Sequence, residues 1–179
     1  WLAGEPTERW GYTLLVGGHR QVRADVDEDG WADVPAFRRA LARPRLFWND
    51  GRGSSVFVTV GGMAEDRTGG TLPGRTTPAG TPYVEALETR RLDLGMVGRA
   101  LVGGSRLLTL RASAMGQAHR HVYGPSTERD RHTTAFGEAA LSGEAGGHAW
   151  VLGAAVQYDR YRARDVAGFD FAHTVPALF

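Results

Sequence analysis

Apolar and polar side chains alternate along much of this chain with a period of two, the spacing of a strand whose successive side chains point to opposite faces. In residues 91–102 the even positions Leu92, Leu94, Met96, Gly98, Ala100 and Val102 are apolar or small, while the odd set holds Arg91, Asp93 and Arg99. Residues 106–119 repeat this, with Leu108, Leu110, Ala112, Ala114, Gly116 and Ala118 opposite Thr109, Arg111, Ser113, Gln117 and His119. In residues 148–160, Trp150, Leu152, Ala154, Val156 and Tyr158 form one face, and Gly153, Gln157 and Asp159 the other. A helix of 3.6-residue period would mix these sets around its circumference. Residues 54–65 alternate through Val56, Val58 and Val60, with Phe57 and Met63 blurring the second face. Residues 10–19, 41–49 and 132–141 complete about seven expected strands.

The connections alternate in length. Long polar stretches (20–37, 66–89 and 122–131) take turns with short glycine-rich ones (49–53, 103–105 and 142–147). Strands of about ten residues joined in this way form an all-β, antiparallel up-and-down meander, the layout of a transmembrane β-barrel with short periplasmic turns and long external loops. About ten residues at roughly 3.3 Å each, tilted near 45°, climb roughly 23 Å, close to the roughly 25 Å apolar band of such barrels. Trp10, Trp48 and Trp150 lie beside expected short turns, and Tyr158 and Tyr161 towards a long connection, where interfacial aromatic girdles form. A soluble sandwich would place its large rings mid-strand, on the inner face. Some seven strands leave the first and last with unpaired edges, costly in lipid, so the pattern implies an incomplete segment of a larger barrel.

Composition narrows the picture. Among 179 residues, 21 basic and 20 acidic side chains leave a formal charge of +1, which speaks against a nucleic-acid partner. The 42% of hydrophobic residues is too many for a disordered chain. The absence of cysteine removes disulfides, thiolate catalysis and thiolate zinc sites together. Neither a charged n-region nor an apolar h-region follows Trp1, so no signal peptide is expected within these residues.

Several stretches together resemble the barrel region of TonB-dependent outer-membrane receptors of Gram-negative bacteria. They are Gly18-His19-Arg20-Gln21, Asp29-Gly30-Trp31-Ala32-Asp33, Arg43-Pro44-Arg45-Leu46-Phe47-Trp48-Asn49-Asp50-Gly51, Glu65-Asp66-Arg67-Thr68-Gly69-Gly70-Thr71-Leu72-Pro73-Gly74 and Thr89-Arg90-Arg91-Leu92-Asp93, with the terminal residues 171–179. The resemblance covers nearly the whole chain, and no single segment is a catalytic signature. It implies that residues 1–179 are a partial barrel domain, without plug domain or signal peptide, from a wall of about 22 strands. It further implies an outer-membrane location, contact with outer-membrane lipid, and coupling to TonB and to the parent's plug domain through parts absent here. The implied activity is energy-coupled uptake of a scarce ligand, such as a ferric siderophore or cobalamin. Residues 171–179, with Pro176 and no clean alternation, look like the entry to a further strand in such a barrel.

Chemistry-bearing clusters are few. Asp25-x-Asp27-x-Asp29-Gly30-x-x-Asp33 resembles the start of a calcium loop, with carboxylates at alternate positions and a glycine for the sharp turn. The twelfth position is Ala36, so the bidentate glutamate of an EF-hand is missing, and a solvated acidic loop is the competing reading. A structural Ca2+ here would order an external loop; no other cofactor is expected. His119 and His121, two apart on one strand, with His132 on the next, are candidate transition-metal ligands or hydrated rim side chains. Arg91, Asp93, Arg99, Arg111, Gln117 and His119 are expected to face the lumen, because an arginine in lipid costs roughly 2–4 kcal/mol at the midplane. No nucleophile elbow, phosphate loop or zinc-binding helix is present, so no enzyme is expected. Two rival readings remain, a soluble calcium-stabilised β-domain binding carbohydrate or protein, and a passive porin.

Overall fold

The computed structural model describes residues 1–179 and is all β. Nine strands follow one another as β1 (Leu2–Thr7), β2 (Trp10–Gln21), β3 (Ala36–Asn49), β4 (Ser55–Gly70), β5 (Val84–Val102), β6 (Arg106–Tyr123), β7 (Ser126–Ala145), β8 (His148–Ala163) and β9 (Phe171–Leu178). They form one antiparallel sheet in the order β1 to β9, each strand paired with its neighbours in sequence, and the sheet does not close. No helix is long and apolar enough to cross a membrane.

The meander and its open edges agree with the periodicity, but the strand count rises from about seven to nine. β1 and β9 are the additions, and β9 places Pro176 opposite Val156 on the outermost strand, where a missing N–H costs no ladder bond on its free side. The strands β2 to β8 are also longer than about ten residues; β5 has 19 and β7 has 20, whereas β1 has 6 and β9 has 8. The long stretch expected over 122–131 is instead a tight hairpin: Tyr123 pairs with Ser126 around Gly124-Pro125. Gly124 has φ +56°, the left-handed requirement of the first central position in a type II′ turn, and proline follows without strain. The glycine turn expected over 142–147 shrinks to Gly146-Gly147, both at positive φ, between Ala145 and His148. Strict long–short alternation therefore fails at the β6–β7 connection.

Two connections at the same end remain long. The segment 22–35 folds back through an Ala24–Val34 bridge, and a Trp31–Thr71 bridge ties it to the 71–83 connection. Backbone bonds from Ala32 N to Gly70 O (3.0 Å) and Leu72 N to Gly30 O (2.8 Å) join the two, and the Trp31 and Tyr83 rings pack with centroids 5.6 Å apart.

Only 7 of 179 residues are buried, and none of these is hydrophobic. The sheet thus carries no core of its own. Leu94, Leu110 and Leu152 share one face and are 49%, 40% and 66% exposed, with no second layer packed over them.

Candidate functional site: two faces of one sheet

The register divides the sheet cleanly. On one face, every strand from β2 to β8 is predominantly apolar or small from the short-turn end upwards. β2 contributes Trp10, Tyr12, Leu14, Val16 and Gly18; β3 contributes Trp48, Leu46, Pro44, Ala42 and Ala40 opposite them. The same rows continue through Val56, Val58 and Val60 of β4, Gly98, Met96 and Leu94 of β5, and Leu110, Ala112 and Ala114 of β6. On every strand the run then ends in charge, two rows sooner at Arg160 on β8 than at Arg20 on β2. Arg20 pairs with Arg38, Arg38 with Asp66, Asp66 with Glu88, Glu88 with Arg120, and Arg120 with Arg129, so a single continuous charged row crosses six strands. Just below it lie Arg90, Arg131 and Arg162, in register through Ala118. Bonds of Arg90 to Asp66 (2.7 Å) and Arg120 to Glu88 (3.1 Å) balance part of the positive charge. At the opposite limit the Trp10 and Trp48 rings pack 6.3 Å apart, and Trp150 stands nearer the β7–β8 turn.

The other face is polar and internally paired. Arg91, Asp93, Arg99, Arg111, Gln117 and His119 all lie on it, as Arg91 opposite Gln117 and Thr89 opposite His119 require. Asp93 is its centre: Arg43 reaches it with Nη1 at 2.8 Å and Nη2 at 3.1 Å, and Arg91 Nε lies 3.3 Å away. Gly61 lets Arg43 and Asp93 meet, since a Cβ there would stand 2.6 Å from Arg43 Nη2 and 2.7 Å from Asp93 Oδ1. Arg111 bonds Glu138 at 2.6 Å, and His132 Nε2 lies 2.7 Å from Asp159. Arg99 stands nearer the short turns, opposite Thr109. Towards the long connections Glu65 is buried between Arg39 and Arg67, both guanidinium groups lying over the Phe37 ring. Tyr161 belongs to this face too, stacked on Phe171, so it is no part of a girdle on the apolar side.

The structure brings three of the four acidic-loop residues together. Carboxylate oxygens of Asp25, Asp27 and Asp29 lie within 4.8 Å of one another. Asp33 is turned elsewhere, accepting a bond from Val26 N at 2.7 Å. The others also cap backbone: Gly30 N donates to Asp25 (2.9 Å) and Trp31 N to Asp29 (2.8 Å). These bonds shape a tight loop in which Glu28 takes φ +62° and Gly30 φ +92°. Asp25 Oδ1 is buried without a protein partner, which fits a cation-facing oxygen as the donor type of a calcium loop requires.

The three histidines do not converge. His132 is held by Asp159, whereas His119 and His121 are joined by Asp130, which the misplaced loop at 122–131 had hidden. Glu65 was missed for a similar reason, because neighbouring Met63 and Phe57 masked the polar face of β4. The signal available was its odd-numbered position, in phase with Gly61 and out of phase with Val56, Val58 and Val60.

Compared with protein-family models, with curated proteins and with solved structures, the chain matches none.

Proposed function

We propose that this chain is a wall segment of an outer-membrane β-barrel of the TonB-dependent receptor type, its apolar face against acyl chains and its paired polar face towards the lumen. One observation carries the membrane reading: seven consecutive strands stay almost wholly apolar on one face, and every one of these runs ends in charged side chains, from Arg20 on β2 to Arg160 on β8. A hydrocarbon slab requires such a charged limit on each strand that it touches. From Val102 to Leu92 on β5 the chain advances about ten residues, which at roughly 3.3 Å each and a tilt near 45° matches a band of roughly 25 Å. Above it, arginines suit the phosphate level of a leaflet, and the Trp10–Trp48 pair suits the opposite interface. The carboxylate-paired arginines of the other face need water or a polar plug beside them, as a lumen provides.

The receptor type within this class rests on the sequence stretches named above, and it makes the long-connection end external. The transported ligand would be a scarce chelate of the siderophore or cobalamin kind, delivered with energy relayed by TonB. Two measurements test the proposal. Outer membranes of the source cell should retain the parent protein after carbonate washing; recovery in the detergent-free soluble fraction would overturn the membrane reading. Uptake of a ferric chelate should require both the parent gene and TonB; uptake that persists without TonB would overturn the receptor type in favour of a passive pore.

A further inference from the structure

We propose that His119, His121 and Asp130 form a binding site for a divalent transition cation of the Zn2+ type on the polar face. His119 and His121 are two apart on β6 and so share a face, and Asp130 of β7 stands directly opposite His119. His119 Nδ1 lies 2.9 Å from Asp130 Oδ1, and His121 Nε2 lies 3.4 Å from Asp130 Oδ2. One ligand atom from each residue falls within 4.8 Å of the other two. A tetrahedral ion with bonds of about 2.1 Å sets its ligand atoms about 3.4 Å apart, so small side-chain movements suffice. All three side chains are half-buried or deeper, Asp130 most of all at 10% exposure, which favours coordination over full hydration.

Each imidazole also has a polar partner on its far side. His121 Nδ1 lies 3.2 Å from the Tyr123 hydroxyl, and His119 Nε2 lies 2.7 Å from the Gln117 amide. Without metal, His119 Nδ1 bonds Asp130, and the far nitrogens of His121 and His119 lie against the Tyr123 hydroxyl and the Gln117 amide. A metal takes the near nitrogens as lone pairs, which moves each remaining ring proton to the far nitrogen. That nitrogen then needs an acceptor. A tyrosine hydroxyl can rotate to accept, and a glutamine amide can turn its oxygen in, so both groups serve either state. An arginine, lysine or backbone N–H in either place could not.

Two imidazole nitrogens and one carboxylate, with water completing the shell, suit Zn2+, Ni2+, Co2+ or Cu2+; Ca2+ and Mg2+ demand oxygen ligands. The site goes beyond the membrane reading and is independent of it, since it uses only the polar face.

The test is Zn2+ titration of the purified full-length parent protein by calorimetry, with Co2+ absorption as a second readout. The expected result is one Zn2+ equivalent that is lost in His121→Ala and Asp130→Asn, kept in His132→Ala, and weakened about 10–100-fold in Tyr123→Phe, which lacks the acceptor. Equal Zn2+ stoichiometry and affinity in wild type and His121→Ala would overturn the proposal, as would no Zn2+ binding by the folded wild type. X-ray absorption of the Zn2+-loaded wild type keeps the test decisive should a variant fail to fold: scattering from two imidazoles is expected, and a shell without imidazole would refute the site.

Discussion

Asp93 accepts from two guanidinium groups at once, and Arg43 and Arg91 have no other carboxylate within bonding distance. Replacing Asp93 by Asn keeps the shape but leaves two arginines facing each other across a polar wall. A charge-assisted bond of this kind is worth about 1.5–3 kcal/mol, so Asp93→Asn should lower unfolding stability by about that much in a urea titration of the folded protein. Arg43→Gln together with Asp93→Asn should recover part of the loss. At the rim, Asp165 receives two bonds from Arg129, at 3.0 Å and 2.8 Å, and these hold its carboxyl below the usual carboxylate range. A carboxyl whose folded value is depressed adds stability above its unfolded value, and the gain vanishes as the pH falls through the folded value. The 164–170 connection should therefore resist proteolysis at neutral pH and become cleavable in strong acid, while Asp165→Asn should make it equally cleavable at both. Resistance of Asp165→Asn at neutral pH would show that the pair does not latch the segment.

At the scale of elements, the apolar band predicts a sharp asymmetry between neighbours in sequence. Under the proposed reading Ala114→Arg, midway between the Trp10–Trp48 row and the charged row, should cost roughly 2–4 kcal/mol and reduce assembly, whereas Ser113→Arg on the polar face should leave the amount of folded protein in the membrane nearly unchanged. The same band explains how much of the fold could be read from the chain. Alternation reports a difference between two faces, so strands were legible where one face is apolar: Leu92 to Val102, Leu108 to Ala118, Trp150 to Tyr158. Beyond the charged row both faces mix apolar and polar side chains, as Val84, Ala86 and Val122 on one and Leu87 on the other show, so the period of two disappears and continuing strand looks like loop. Val84–Arg90 and Ser126–Arg131 were lost in that way, and with them Asp130, the third member of the histidine cluster. The acidic loop illustrates the converse, since its carboxylate spacing is enough to draw Asp25, Asp27 and Asp29 together but does not show that Asp33 accepts from Val26 N instead. The hairpin at Gly124 offers a direct check on the extended strands. A Cβ there would stand 2.6 Å from the Tyr83 ring and adopt φ +56°, so Gly124→Ala should destabilise by about 1 kcal/mol or more.

For the whole molecule, the central fact is a broad sheet with no buried hydrophobic side chain and one apolar face bounded by a charged row. β1 and β9 do not pair, so both edges are open. In hydrocarbon each unpaired backbone group costs several kcal/mol, and under the proposed reading neighbouring strands of the parent barrel cover both edges. The capped pair of long connections, joined through Trp31 and Tyr83, then forms part of the external rim. The most direct test uses nitroxide side chains placed singly on β5 and β6 of the parent protein in lipid vesicles, a strategy helped by the lack of cysteine in this chain. Collision rates are read with oxygen, which concentrates in the bilayer, and with a water-soluble nickel chelate. Labels at Leu94, Met96 and Leu110 should collide often with oxygen and rarely with nickel, and labels at Val97 and Ser113 should show the reverse. Low collision rates with both reagents at Leu94, Met96 and Leu110 would mean that protein covers this face, and would contradict the account.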